Sequence, residues 1–376
     1  MNASDASSAP ARPAGSAEVG ADVPASSRAD APGPSPSSEP APAPARTIVV
    51  TLGWWLHGLV RVLLAVALTY YGVAKLVLGQ FGVADMGDAL VAQGEMSPMG
   101  MLWRLVAFSP LFQVLAGLAE AGAALALMRR RSVAFGALLA AADMAFVLVL
   151  NLGYDVPVKT IALVLLVMSL VVLSPWIHRV ARSLLGHGAI PAGPEPALIP
   201  GRPFRKVTDV AGPLAGIAVL CLVAWGVSAL YPARSTDAAP PAGVWVVAQD
   251  TAEPAAQLSA DTRWQKAAFG EIAYDGTARA QVRRADGTLL DGTYERTGDS
   301  TVELALREQR DPGQTFAEHA ASEQLTWTLA VQEQADGSLR LHGEGIDLVL
   351  SPDDDGRVLY DRGFSWGLRP DDPFNR

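Results

Sequence analysis

Apolar residues recur along this chain in blocks of about twenty, at roughly 57–78, 109–128, 132–150, 158–177 and 211–231. Blocks of that length match the ~30 Å of hydrocarbon in a bilayer, so each predicts a membrane-spanning helix. The apolar stretch from Met99 to Met128 is too long for one span, and Ser109-Pro110 divides it where a helix would restart, with proline in the first turn. Met99–Phe108, with Trp103 and Arg104, then reads as a short interfacial helix anchored by tryptophan. Beyond about residue 243 the period changes to two. Thr301–Leu306, Leu325–Gln332 and Ser338–Leu341 alternate, and Asp275-Gly276, Asp286-Gly287 and Asp336-Gly337 are hairpin pairs. This part predicts an antiparallel β domain, either barrel or sandwich. The expected organisation is a tail at 1–46, a four-helix membrane unit at 50–180, a basic linker at 181–208, a fifth span at 209–232 and the β domain at 243–376.

Composition fills in the environment of each part. Half the residues are hydrophobic and 18% are charged, as expected of an integral membrane protein. Residues 1–46, almost wholly Ala, Pro, Ser, Gly and Asp, hold too little apolar surface to offset the entropy of ordering, and predict a disordered cytoplasmic tail. No basic n-region followed by a short apolar run occurs there, so the first span is expected to direct insertion. Arg46, Arg129 to Arg131, Arg179, Arg182, Arg202, Arg205 and Lys206 fall on one side of the five crossings, and Lys159 with few others on the opposite side. The positive-inside rule then puts the N-terminus in the cytoplasm and the β domain outside, in the periplasm or extracellular space of a bacterium whose inner membrane holds the helices.

From Ser235 onward 25 Asp and Glu face 13 Lys and Arg, whereas the preceding part carries 13 against 16. An acidic outer domain excludes nucleic acid as a partner, because phosphate binding needs basic patches. The lone Cys221 excludes an intrachain disulfide and a CxxC redox centre. His57, His178, His187, His319 and His342 lack metal-ligand spacing, so no metal site is predicted and the five read as solvated or interfacial. No catalytic triad, phosphate loop or dinucleotide fingerprint is present. Asp353-Asp354-Asp355-Gly356 lacks the alternating ligands and the distal carboxylate of a calcium loop and reads as a solvated turn.

Chemistry therefore falls to the ionisable residues inside the apolar blocks. At ~1.5 Å rise per residue, Arg61 lies ~6 Å, Glu120 ~12 Å and Asp143 ~16 Å above the inner ends of their spans. An Arg61–Glu120 contact with Asp143 just above it is the expected inner site. It is either a proton- or quinone-linked site or an ion pair that fixes helix register. Lys75, at ~27 Å, falls in a separate outer site with Tyr71, Gln80, Asn151, Tyr154, Asp155 and Lys159. That group reads as a pocket for an anion or a quinone headgroup, with Asp155 alternatively capping the fourth span and Lys75 merely snorkelling. Phe364, Trp366 and Phe374, beside Arg362 and Arg369, either close the β core or dock on the helices or a partner.

Several strings together resemble the DoxX-like membrane proteins. They are Tyr71-Gly72-x-x-Lys75 with Gln80-Phe81, Ser97-Pro98-x-Gly100-x-Leu102-Trp103, Gly117-x-x-Glu120 followed by Arg130-Arg131, and Asn151-x-x-Tyr154-Asp155-Val156-Pro157-Val158-Lys159. The resemblance covers about 50–180, and Arg362-Gly363-Phe364-Ser365-Trp366 with Pro373-Phe374-Asn375-Arg376 is similar to the ending of longer bacterial DoxX-like proteins with an outer extension. It implies a four-helix membrane bundle with the fifth span as a tether. The founding member resembles a subunit of a thiosulfate:quinone oxidoreductase, and most relatives have no assigned reaction. Gly243-Val244-Trp245 resembles the opening of lipocalin-type barrels. The expected function is an accessory, ligand- or partner-binding subunit in contact with membrane lipid, with a membrane redox partner or an extracytoplasmic protein. No cofactor motif is evident. The alternative is a quinone-interacting oxidoreductase that uses the intramembrane charges.

Overall fold

The computed structural model describes residues 44–186, 202–298, 300–361 and 363–367. The predicted tail lies almost wholly outside the described residues, as do most of the basic linker, Arg362, Arg369 and Phe374. Helices and β domain, from Val49 onward, belong to one compact unit.

Seven helices come first: α1 (Pro44–Leu76), α2 (Pro98–Phe108), α3 (Pro110–Met128), α4 (Val133–Gly153), α5 (Lys159–Leu173), α6 (Ile177–Leu184) and α7 (Arg202–Ser228). Among the described residues, five helical segments are long and apolar enough to cross a membrane, the fourth of them running through α5 and α6. The break at residue 109 follows from caps. Ser97 accepts from the Gly100 N–H to start α2, Ser109 accepts from the Phe112 N–H to start α3, and each is followed by proline.

Small residues let the helices touch. A Cβ on Gly72 of α1 would lie 2.9 Å from the Ala121 backbone nitrogen of α3, and one on Gly117 would lie 2.7 Å from the Gly72 carbonyl. Without a solvent-driven hydrophobic force, such close approach supplies the packing between apolar helices. Gly72→Val is expected to push α1 off α3, separate the side chains one turn further along, and cost about 1–3 kcal/mol by overpacking. Thermal unfolding in nanodiscs, with Gly122→Ala as the control where nothing lies within 4 Å, measures it.

The β domain is a closed eight-stranded barrel. After the short β1 (Arg234–Thr236) come β2 (Gly243–Asp250), β3 (Trp264–Tyr274), β4 (Thr277–Arg284), β5 (Leu289–Gly298), β6 (Thr301–Glu308), β7 (Leu325–Glu333), β8 (Leu339–Gly343) and β9 (Ile346–Pro352). Each of β2 to β9 pairs antiparallel with the next, and β9 returns to β2, so the wall has no free edge. The three predicted hairpin pairs form the β3–β4, β4–β5 and β7–β8 turns, with Asp275 and Gly276 both at positive φ. Eight strands leave a bore just wide enough for side chains. Trp264, Phe269, Leu290, Leu304, Leu329, Leu341 and Leu350 fill it, so this interior is a packed core.

Two small helices decorate the barrel, α8 (Phe316–Ala320) and α9 (Asp354–Asp361). Asp353 is not in a solvated turn: buried at the start of α9, it accepts from the Gly356 N–H and from Lys266 Nζ at 2.6 Å. Burial opposes ionisation there, but the Lys266 ammonium and the Gly356 N–H hold the carboxyl below its ordinary range. Phe364 and Trp366 do not close the core either, being 80% and 95% exposed and stacked edge to face on each other.

The barrel is gripped by the α1–α2 connection, 77–97. β3 bulges between Phe269 and Ala273, where its neighbour changes from β2 to β1. At this bulge the buried Asp85 carboxylate accepts from both the Glu271 and the Ile272 N–H groups, at 2.9 and 3.3 Å. Burial pushes this carboxyl up in spite of the two bonds. Glycine at 270 is needed for the approach, since any Cβ there would collide with Asp85. Arg279 bridges Asp88 and Asp291, Gln281 accepts from the Leu90 N–H, and Arg283 binds both Glu95 and the Leu90 carbonyl. Tyr231, just past α7, packs where a Cβ of Gly79 would be, so the exits of α1 and α7 lie at the same end as the barrel.

Candidate functional site

α1 and α3 run antiparallel, and in an α-helix each Cβ tilts toward its own N-terminus. The Lys75 side chain therefore leans back along α1 while the Glu120 side chain leans outward along α3, and they meet. Lys75 Nζ lies 2.7 Å from both Glu120 carboxylate oxygens, with both residues buried. The ammonium also sits 5.7 Å from the Tyr71 ring centre. This corrects the two-site expectation. Both Glu120 oxygens accept from Lys75, and Arg61 is not part of the wall of the cavity that Lys75 and Glu120 share. The ~15 Å offset assumed between Lys75 and Glu120 took span ends to be level. Gly72 lying against Gly117 and Ala121 shows that the N-terminal part of α1 runs on past the C-terminal end of α3.

The pair belongs to a cavity of about 320 Å³ enclosed by α1 to α5 and the start of the α1–α2 connection. Tyr71, Lys75, Gln80, Gln113, Glu120, Asp143 and Asn151 are its polar wall, and the remainder is apolar, including Phe81, Trp103, Phe112, Met144 and Phe146. Size and lining fit a small-molecule site: mostly apolar, with a few converging polar groups. Trp103 also lines the cavity, with its ring 4.8 Å from that of Phe81. Phe112, Leu115, Phe146 and Ile161 belong to the same wall yet are exposed, so the cavity reaches the outer surface of the helices.

Of the seven residues expected in an outer site, Tyr71, Lys75, Gln80 and Asn151 line this cavity. Tyr154 is not in the cavity wall itself but packs behind it, in an apolar cluster with Val156 and the wall residues Leu102 and Val106. Asp155 pairs with Lys159 on the exposed turn before α5, away from the cavity wall. Its carboxyl is held below the usual range by the Lys159 ammonium, and it makes no cap, since α5 has no side-chain cap bond.

Gln113 escaped the sequence reading although its signal was present. Gln113, Gly117 and Glu120 lie four and then three residues apart on α3, one helical face, and Gln113 is fully buried with its Nε2 donating to the Gly82 carbonyl at 2.8 Å. On α4, Asp143, Val147 and Asn151 repeat at four and mark the opposing face.

Five long apolar helices bearing a charged cavity, joined to a closed β-barrel that the first helix connection grips, define the class of this protein. No protein-family model matches the chain, and no solved structure matches it. The chain belongs to the same family as the uncharacterized protein YwoB of Bacillus subtilis (strain 168), being 30% identical to it over 120 residues, 32% of this chain and 74% of that protein.

Proposed function

We propose that this chain is a DoxX-like membrane protein that binds a lipid-soluble, quinone-type molecule in the helical cavity, as an accessory subunit of a redox complex. One observation carries the reading: a buried Lys75–Glu120 pair in the wall of an apolar cavity whose exposed rim, Phe112, Leu115, Phe146 and Ile161, would face acyl chains. Burying an ion pair rarely adds stability over packed apolar side chains, so its presence beside open space favours a role in ligand recognition. In this reading the N-terminus is cytoplasmic and the barrel extracytoplasmic, on the bacterial inner membrane. The filled bore leaves the barrel's outer surface to meet a partner protein.

Purification in native lipid patches tests the proposal. A quinone-type lipid should be retained with wild-type protein and lost from Ala116→Trp, which fills the cavity from α3, together with a stoichiometric redox partner and no turnover by the isolated chain. Turnover by the isolated chain would favour the quinone-interacting oxidoreductase. Equal lipid content in both proteins would remove the cavity from the account.

A further inference from the structure

Among the described residues the barrel part exposes six large apolar side chains, and four of them gather within 358–366: Val358 and Leu359 on α9, then Phe364 and Trp366. The other two, Leu258 and Phe316, lie in the β2–β3 and β6–β7 connections. Strand direction decides which rim of the barrel carries each group. Tyr231, which packs on Gly79 at the exit of α1, is followed by Ala233, whose carbonyl accepts from the Asp275 N–H in the β3–β4 turn. That turn marks the rim facing the helices, and β3 runs toward it. β2 is antiparallel to β3 and β9 to β2, so β9 also runs toward this rim and delivers α9 there. By the same alternation β2 and β6 run away from it, so Leu258 and Phe316 sit at the opposite rim.

α9 is fixed beside α2. Tyr360 packs with Met86, Ala89 and Leu90 of the α1–α2 connection and feels the charges of Asp88 and Arg104. Arg104 donates from α2 to the Asp88 carbonyl, and on that helix it flanks Met101, Leu105 and Phe108, an exposed apolar stripe at helical spacing. The apolar strip of the barrel part therefore emerges next to the apolar stripe of α2, on the side where the long helices end. A cluster of exposed apolar side chains on an otherwise acidic domain marks a contact surface. We propose that Val358, Leu359, Phe364 and Trp366 seat the barrel in the headgroup layer of the bilayer that the helices cross, on the barrel's side, as a continuation of the α2 stripe. Aromatic side chains favour that layer, and valine and leucine gain by burial at its boundary with the acyl chains. Lipid is the occupant because the strip lies on the rim that faces the helices, where the bilayer around them must reach. This seating holds whichever lipophile the helical cavity takes.

The test is spin-label depth measurement on the full chain in nanodiscs of phosphatidylcholine and phosphatidylglycerol. Cys221→Ser removes the native thiol, and Ser365→Cys places a nitroxide between the two intact aromatics. Ala317→Cys, exposed beside Phe316 at the opposite rim, is the control. Collision with oxygen, which concentrates in the bilayer, should exceed collision with a water-soluble nickel chelate several-fold at 365, and the order should reverse at 317. Phe364→Ser with Trp366→Ser should move the 365 label to the values seen at 317. A 365 label as open to nickel as that at 317 would overturn the seating, and one shielded from both reagents would put protein on the strip and overturn the lipid assignment. A label that stays in the headgroup layer after both aromatics are removed would overturn their role.

Discussion

Replacing Glu120 by leucine alone should destabilise the protein by about 3–5 kcal/mol, because Lys75 would be left as an uncompensated charge in an apolar wall. Lys75→Met should do the same from the other side, with Glu120 stranded. The double variant, Lys75→Met with Glu120→Leu, should recover most of that loss, since two apolar side chains of similar volume replace a desolvated pair. Chemical unfolding in nanodiscs reads all three. A double variant as unstable as the sum of the singles would mean that the two charges act independently, against the 2.7 Å contact. A stable double variant that no longer holds a lipophile would separate folding from binding, and would give the pair a role in recognition.

The second large effect concerns the barrel. Asp85→Ala would leave the Glu271 and Ile272 N–H groups without acceptors at the β3 bulge, a loss of about 2 kcal/mol or more. Gly270→Val should act as strongly with Asp85 intact, by occupying the space of its carboxylate. In both variants, backbone hydrogen exchange should rise at 271 and 272 and along 82–95, while the closed ladder from β4 to β8 stays protected. Loss of protection throughout the barrel would show that the grip is needed to fold the domain and does not merely hold it in place. Arg279, Gln281 and Arg283 extend the same grip, and Gln80 and Phe81 at its near end belong to the cavity wall. The connection that holds the barrel thus also forms part of the cavity wall.

Periodicity carried most of the fold. The five apolar blocks became long helices, the proline after Ser109 separated α2 from α3, and the Asp-Gly pairs became β turns, because each of these depends on local chain physics. Barrel against sandwich was not legible, since closure depends on β9 returning to β2 more than a hundred residues away. Lys75, Glu120 and Asp143 were visible as anomalous charges, but their grouping was misjudged. Depth counted from span ends ignored both the offset of α1 against α3 and the opposite lean of side chains on antiparallel helices. The Gly72 and Gly117 pair held the missing register, because only glycine allows two helix backbones to come that close. The Asp85 contact had no sequence signal of its own, as it depends on a bulge in a strand nearly two hundred residues further along.

Photolabelling tests the central claim most directly. A quinone-type lipid whose alkyl tail carries a diazirine, activated in membranes containing the full chain, should label peptides of α3 and α4 that contain Phe112 to Ala116 and Met144 to Leu150. Excess of the same lipid without the diazirine should compete that labelling away, and Ala116→Trp should abolish it. Labelling confined to the barrel surface or to α7, or insensitive to competitor, would contradict a ligand site built around Lys75, Glu120 and Asp143.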